Sequence, residues 1–260
     1  MKQFIKAYWK TLLFFAIVGM VGGFFTGVYL LDSYPQEIQQ QLLEELSASG
    51  LGGISPDIVM GVITAIQAVF YGVVLGATGI WFSRNVGLWK DEKKITKNAL
   101  IASGIISVLA GLVLILPDLL FFGNYSQVIM DSYSVKPTIT YVIASVMYGG
   151  VIEEVMLRLF GMSLLAFVLW KGFERKKEYP SKGVFIAANS IAALLFAVGH
   201  LPATAAIIGL SPMVVFRCFL VNGSLGLAFG WLYRQYGLRY AMIAHGGCHI
   251  VSKLIWIIFI

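Results

Sequence analysis

Seven apolar runs, each long enough to cross a bilayer as a helix, constrain this chain more than any other feature. They cover residues 11–31, 58–82, 99–122, 138–170, 183–200, 212–233 and 240–260. About 20 apolar residues span the hydrocarbon core. The composition agrees, because only 12% of the residues are charged, against roughly 25% in soluble domains. The sequence therefore predicts an all-α, polytopic transmembrane bundle that forms a single integral membrane domain.

The basic residues alternate between the two sides of the predicted membrane. Four segments hold most of the 19 Lys and Arg residues: Lys2, Lys6 and Lys10; Arg84, Lys90, Lys93, Lys94 and Lys97; Lys171, Arg175, Lys176, Lys177 and Lys182; Arg234 and Arg239. The intervening loops carry mainly acidic residues. The positive-inside rule then predicts a cytoplasmic N-terminus and an external C-terminus, in what we expect to be a bacterial plasma membrane. Because topology accounts for the net charge of +6, no nucleic-acid partner is expected.

The N-terminal part, residues 1–136, contains three spans and one long external segment. Residues 37–46 of that segment are amphipathic and predict a short helix lying on the membrane surface. The first span is too long for a signal peptide and lacks a cleavage site, so it is expected to be retained. The remaining spans, residues 137–260, are expected to form the functional core. Two basic residues inside these spans, Arg217 and Lys253, are expected to extend toward the membrane surface.

Two carboxylates and a guanidinium lie inside the fourth apolar run. A charge at the bilayer centre costs about 3 kcal/mol on insertion scales, so these residues are expected to serve a function. In an α-helix, Glu154 and Arg158 share a face at i and i+4 and form a pair. Glu153 points about 100° away, toward the face of Gly149 and Gly150. A structural ion pair explains Glu154 and Arg158 equally well, but it does not explain the second glutamate.

All three histidines also lie in apolar runs. His200 follows Phe196 by four residues at the end of the fifth run, and His245 and His249 share a helix face in the seventh. A single membrane histidine more often joins two helices by a hydrogen bond than takes part in catalysis. Three histidines together with intramembrane glutamates indicate a functional site. At 1.5 Å per residue, however, His200 falls closer to the outer surface than Glu153 does.

Three motifs occur in order on successive spans: Glu153-Glu154-x-x-x-Arg158, Phe196-x-x-x-His200 and His245-x-x-x-His249. Together they resemble the CPBP family, which comprises intramembrane CAAX proteases and bacteriocin-processing enzymes and is also called the Abi family. The resemblance covers about residues 141–251 and implies an intramembrane endopeptidase. The sequence departs from the family at two positions. His249 stands where asparagine is usual, and Leu159 follows the arginine where glycine is common.

The resemblance implies peptide hydrolysis by a water molecule that a glutamate activates, and the residue types suit that chemistry. Glu153 would be the general base, and His200 would hold or help deprotonate the water. His245 and His249 would stabilise the oxyanion or orient the water. These four side chains are expected within about 10 Å of one another, around a polar cavity between the fourth, fifth and seventh spans.

A zinc site is the alternative chemistry for the same residues. Three histidines would be its ligands: His200, His245 and His249. Glu153 would remain the base. The metal-free mechanism is preferred because the resemblance implies it, so no cofactor is expected. In either version the pair of Glu154 and Arg158 would fix the helix and keep a positive charge near the site.

Three classes of function remain open from the sequence. The preferred one is an endopeptidase acting on a leader-bearing or lipidated, membrane-associated peptide, with processing of a bacterial peptide favoured over prenyl-CAAX cleavage. The second is a non-catalytic protein that confers bacteriocin self-immunity or acts as a scaffold, and the intact motifs argue against it. The third is a metal-ion or proton transporter, for which no internal repeat is visible. The expected partners are the substrate peptide and the lipid bilayer.

Overall fold

The computed structural model describes residues 2–50, 52–90 and 95–260, and this part of the chain is helical, without strands. The helices are α1 (Lys2–Ser33), α2 (Gln36–Ala48), α3 (Pro56–Asn85), α4 (Lys97–Leu120), α5 (Gln127–Ser132), α6 (139–173), α7 (Lys182–Ile207), α8 (Pro212–Tyr236) and α9 (Leu238–Phe259). The predicted all-α class is therefore confirmed. Two of the predicted cytoplasmic lysines, Lys93 and Lys94, lie outside the described residues.

Six of these helices are long and apolar enough to cross a membrane: α1, α3, α4, α7, α8 and α9. The remaining predicted span corresponds to α6, so the expectation of about seven spans is close. Helix α2 covers the predicted amphipathic segment and has no buried residue; its place on the membrane surface stays a prediction. The structure is that of a multi-pass membrane protein.

Helix α6 has an unusual backbone. It begins and ends as an α-helix, at Ile139–Ile143 and Ser163–Phe173, but two long parts of it form i→i+5 hydrogen bonds. These π-helical parts are Ala144–Glu153 and Val155–Met162, and only Glu154 separates them. Most π-helical turns occur singly and many lie at functional sites. The residues of the first predicted motif thus lie where α6 is widest.

Glycines allow the neighbouring helices to approach α6 closely. A Cβ atom on Gly150 would lie 2.7 Å from the Cα atom of Gly246 on α9. On another side of α6, a Cβ atom on Gly22 of α1 would lie 2.8 Å from the backbone nitrogen of Tyr148. Since real Cβ atoms do not come this close to backbone, both contacts require glycine. Helix α6 is therefore held between α1 and α9.

Helix α7 is longer than the sequence predicted. It was expected to end at His200 but continues to Ile207, with Pro202 inside it. His200 therefore lies well inside the helix, which moves it away from the end of the span.

Two expectations about basic side chains were wrong. Arg217 does not extend to the surface as a free cation, because its guanidinium binds both oxygens of Asp118 on α4, each at 2.5 Å. Asp118 also accepts a hydrogen bond of 2.9 Å from the hydroxyl of Tyr133. Lys253 is only 3% exposed, and its Nζ atom lies 3.9 Å from the centre of the Tyr141 ring. Both cations are held inside the bundle by contacts from other helices.

Candidate active site

Glu154 is the fully buried member of the two glutamates. Its Oε2 atom lies 3.4 Å from Nε of Arg158, which is 1% exposed. Its Oε1 atom accepts a hydrogen bond of 2.9 Å from Nδ1 of His245 on α9. The predicted pairing of Glu154 with Arg158 on one face of the helix is confirmed. The contact with His245 extends this pair from α6 to the helix that carries the third motif.

Arg158 is surrounded by residues from two further helices. Its Nη2 atom donates a hydrogen bond of 3.2 Å to the carbonyl of Gly226 on α8. Its guanidinium carbon lies 4.8 Å from the ring centre of Phe196 on α7 and 5.7 Å from that of Phe229 on α8. Cation–π contacts of this kind are strongest where the cation is removed from water. The arginine therefore joins α6 to α7 and α8 at the level of the site.

The carboxylate of Glu154 and the guanidinium of Arg158 form an ion pair but no hydrogen bond with each other. Among the described residues, neither Oε2 of Glu154 nor Nη1 of Arg158 has a hydrogen-bond partner. Buried polar atoms are usually satisfied, and the exceptions concentrate at strained or functional places. The orphaned atoms lie next to the residues that carry the predicted chemistry.

Glu153 occupies a different environment from its neighbour. Its side chain is 20% exposed, and its Oε2 atom lies 3.9 Å from Nε2 of His245. This separation is too long for a direct hydrogen bond and lets both groups contact a shared water molecule. Because Nδ1 of His245 is hydrogen-bonded to Glu154, its Nε2 atom is the nitrogen that faces Glu153. Glu153 is therefore the partly accessible carboxylate, as the sequence predicted.

The other two histidines extend the site in two directions. The ring of His249 stacks on that of His245 with 5.1 Å between centres, and the space for its Nε2 atom exists because residue 149 is a glycine. His200 bonds through Nδ1 to the carbonyl of Phe196 at 2.8 Å, which leaves Nε2 as its remaining ring nitrogen. The ring of Phe196 contacts both His200 and His245, at 4.6 and 5.9 Å between centres. Phe196 thus brings the second and third motifs together.

A zinc site is the alternative for the same residues. Within residues 2–50, 52–90 and 95–260, no three His, Cys, Asp or Glu side chains form a group that could hold a metal ion. The arrangement therefore does not fit His200, His245 and His249 as a set of three ligands, and no step below uses a metal.

Sequence reasoning missed one aromatic residue of the site. Phe229 of α8 is fully buried, and its ring stacks on His245 with 4.5 Å between centres and 20° between planes. Together with Phe196, it encloses the imidazole of His245 in apolar surface. Phe229 belongs to no polar motif, and nothing in its run of apolar neighbours distinguishes it from other residues that face the core.

These features define a class: a multi-pass helical membrane protein with a partly exposed carboxylate beside a histidine that a buried ion pair holds in place. The comparison with protein families agrees. Residues 135–251 match the family described as Type II CAAX prenyl endopeptidase Rce1-like, which is the CPBP, or CAAX protease, family that the three motifs resemble. The resemblance seen in the three motifs is confirmed, and a CAAX-protease-type endopeptidase activity is indicated. No curated protein and no solved structure matched the chain.

Proposed function

We propose that this protein is an intramembrane endopeptidase in which Glu153 activates the water that hydrolyses a peptide bond. The observation that carries the proposal is the contrast between two adjacent carboxylates. Glu154 is fully buried between Arg158 and His245, whereas Glu153 is partly exposed beside the same histidine. A structural pair requires only the first of them. The second meets the geometric requirement for a general base, since it is accessible to water and near a histidine.

The reaction follows from these positions. Glu153 takes a proton from the water as the water oxygen bonds to the carbonyl carbon of the scissile peptide. The resulting tetrahedral oxyanion needs hydrogen-bond donors, and the half-buried rings of His249 and His200 are the candidates. Protonated Glu153 then gives its proton to the departing amine as the carbon–nitrogen bond breaks. The carboxylate is regenerated, and the products are one acid and one amine.

The remaining residues hold the base and the histidines in position. Glu154 fixes the orientation of the His245 ring through Nδ1, and Phe229 supports that ring from one side. Arg158 supplies a positive charge close to the site and pairs with Glu154. Such support is needed because catalytic side chains act only when they are held close to the productive geometry.

A lipidated, membrane-associated peptide is the substrate class that we propose. The description of the matching family as a prenyl endopeptidase now favours a prenylated C-terminal segment over the leader-bearing bacterial peptide that the sequence alone suggested. A lipid anchor would also keep the peptide at the membrane, where Glu153 lies.

A cleavage assay on the purified full chain in lipid nanodiscs tests the proposal. The substrates are a farnesylated peptide with a free C-terminus and an unprenylated leader-bearing peptide, each with and without a metal chelator. We expect cleavage of the farnesylated peptide that the chelator does not abolish. Cleavage of neither peptide would favour a non-catalytic immunity or scaffold role or a transporter, and loss of activity with chelator would favour the zinc mechanism.

A further inference from the structure

Lys253 of α9 differs from the other basic residues inside the predicted spans. Arg158 pairs with Glu154, and Arg217 pairs with Asp118. Lys253 is 3% exposed, yet no carboxylate of the described residues lies within ion-pairing distance of its Nζ atom. A buried charge without a counter-ion is costly in a membrane. The described residues of the bundle supply no counter-ion for this charge, so an anion from outside the bundle would explain why it is retained.

In the described part of the chain, the ammonium group of Lys253 lies over a tyrosine ring. The Nζ atom lies 3.9 Å from the ring centre of Tyr141, and the opposite helix α1 supports that ring through Tyr29, which stacks on it at 4.3 Å. A cation–π contact offsets part of the cost of removing the ammonium from water. It leaves the formal charge unneutralised, so the position remains complementary to an incoming anion.

Lys253 is aligned with the active site along one helix face. It follows His249 by four residues, as His249 follows His245. From His245 to Lys253 the helix rises about 12 Å. An extended peptide covers that distance with three to four residues, at about 3.3 Å for each.

We propose that Lys253 binds the C-terminal carboxylate of the substrate and so fixes the distance between that carboxylate and the bond that is cut. This proposal rests on the proposed endopeptidase function. A substrate whose last three to four residues follow the scissile bond would place its carboxylate at Lys253 while the bond lies beside Glu153. The carboxylate supplies the counter-ion that the bundle lacks, and a charge-assisted hydrogen bond replaces part of the contact with Tyr141.

Equilibrium binding to an inactive protein tests this without requiring turnover. The Glu153→Gln protein in nanodiscs is titrated with a farnesylated peptide that ends in a free carboxylate and with the same peptide ending in a carboxamide. We expect the carboxylate form to bind about tenfold more tightly. In Glu153→Gln/Lys253→Met the two forms should bind equally, at the affinity of the amide. Adding Lys253→Arg instead should keep a preference for the carboxylate.

Lys136→Met, made in the same Glu153→Gln background, is the matched control. Lys136 donates hydrogen bonds to carbonyl groups near the C-terminal end of α9. The control therefore removes one lysine charge from the same end of the helix as Lys253, and the tenfold preference should persist.

Equal binding of both peptides to Glu153→Gln would overturn the proposal, as would a preference that survives Lys253→Met. Loss of amide binding in Lys253→Met would also overturn it, because a residue that recognises only the carboxylate leaves the amide unaffected. A carboxylate preference without cleavage by the wild type would leave Lys253 as a binding residue and remove the endopeptidase function.

Discussion

Glu153 and Glu154 are adjacent in the chain, but their surroundings give them different predicted roles. Replacing Glu154 by glutamine leaves the buried guanidinium of Arg158 without its carboxylate. Breaking one partner of a buried pair typically costs about 3–5 kcal/mol. We therefore expect Glu154→Gln to lower the amount of folded protein in the membrane and its unfolding temperature in detergent.

A control for this substitution is Glu174→Gln, in the loop after α6, where Glu174 pairs with the exposed Lys177 and accepts a hydrogen bond from the backbone N–H of Ser181 that a glutamine oxygen also accepts. Surface pairs contribute little to stability, so this variant should unfold at nearly the wild-type temperature. Equal stability of the two variants would show that the ion pair at position 154 does not support the fold.

His249 offers a second test at the scale of single residues. The family usually has asparagine there, and both side chains donate hydrogen bonds. We expect His249→Asn to retain most of the activity, and His249→Leu to lower kcat by roughly 10²-fold because it removes an oxyanion donor. Rates for both variants, normalised to folded protein, check this. A variant with leucine as active as the one with asparagine would remove His249 from the chemistry.

Contacts within one helix were predictable from the sequence, whereas contacts between helices were not. The spacing of Glu154 and Arg158 was enough to pair them, because that contact lies within one helix. The bond from His245 to Glu154 and the pair of Arg217 with Asp118 join distant parts of the chain. Such contacts depend on how helices pack, which no local pattern encodes. The snorkelling expected of Lys253 was wrong for the same reason.

At the scale of helices, the contact between α6 and α9 depends on Gly150. A Cβ atom there would lie 2.7 and 2.9 Å from backbone atoms of Gly246, so Gly150→Ala should force the two helices apart. Overpacking of this kind typically costs about 1–3 kcal/mol. We also expect reduced activity, since His245 and Glu153 lie on these two helices.

Gly104 of α4 is the matched control, because a Cβ atom there meets no atom within 4 Å. Gly104→Ala should leave the unfolding temperature unchanged or raise it slightly, since alanine favours the helix. If Gly150→Ala were as stable as Gly104→Ala, helices α6 and α9 would not approach each other as closely as described.

Helix positions were largely predictable, whereas backbone details were not. The lengths of the apolar runs located the membrane helices, because the thickness of the bilayer sets the length that a spanning helix needs. The sequence did not predict that α7 extends past His200. The predicted span ended before Pro202, whereas the helix continues through this proline. The π-helical parts of α6 were also missed, since an apolar run has the same composition whether it forms i→i+4 or i→i+5 bonds.

At the scale of the whole molecule, the alternation of basic segments predicts the orientation in the membrane. We expect a reporter fused at Lys176, after α6, to be cytoplasmic, and reporters fused at Ser134, before α6, and at Ile260 to be external. An external reading at Lys176 would reverse the topology. A cytoplasmic reading at both Ser134 and Lys176 would mean that α6 does not cross the membrane.

The central claim is that Glu153 is the base of a hydrolytic site, and turnover per folded molecule of Glu153→Gln tests it most directly. Glutamine keeps the shape of the side chain and removes its ability to take a proton. Because Glu153 is partly exposed and forms no buried ion pair with Arg158, the variant should remain folded and abundant. We expect the variant to cleave the farnesylated peptide at least 10²-fold more slowly than the wild type does. Wild-type turnover with glutamine at position 153 would contradict it.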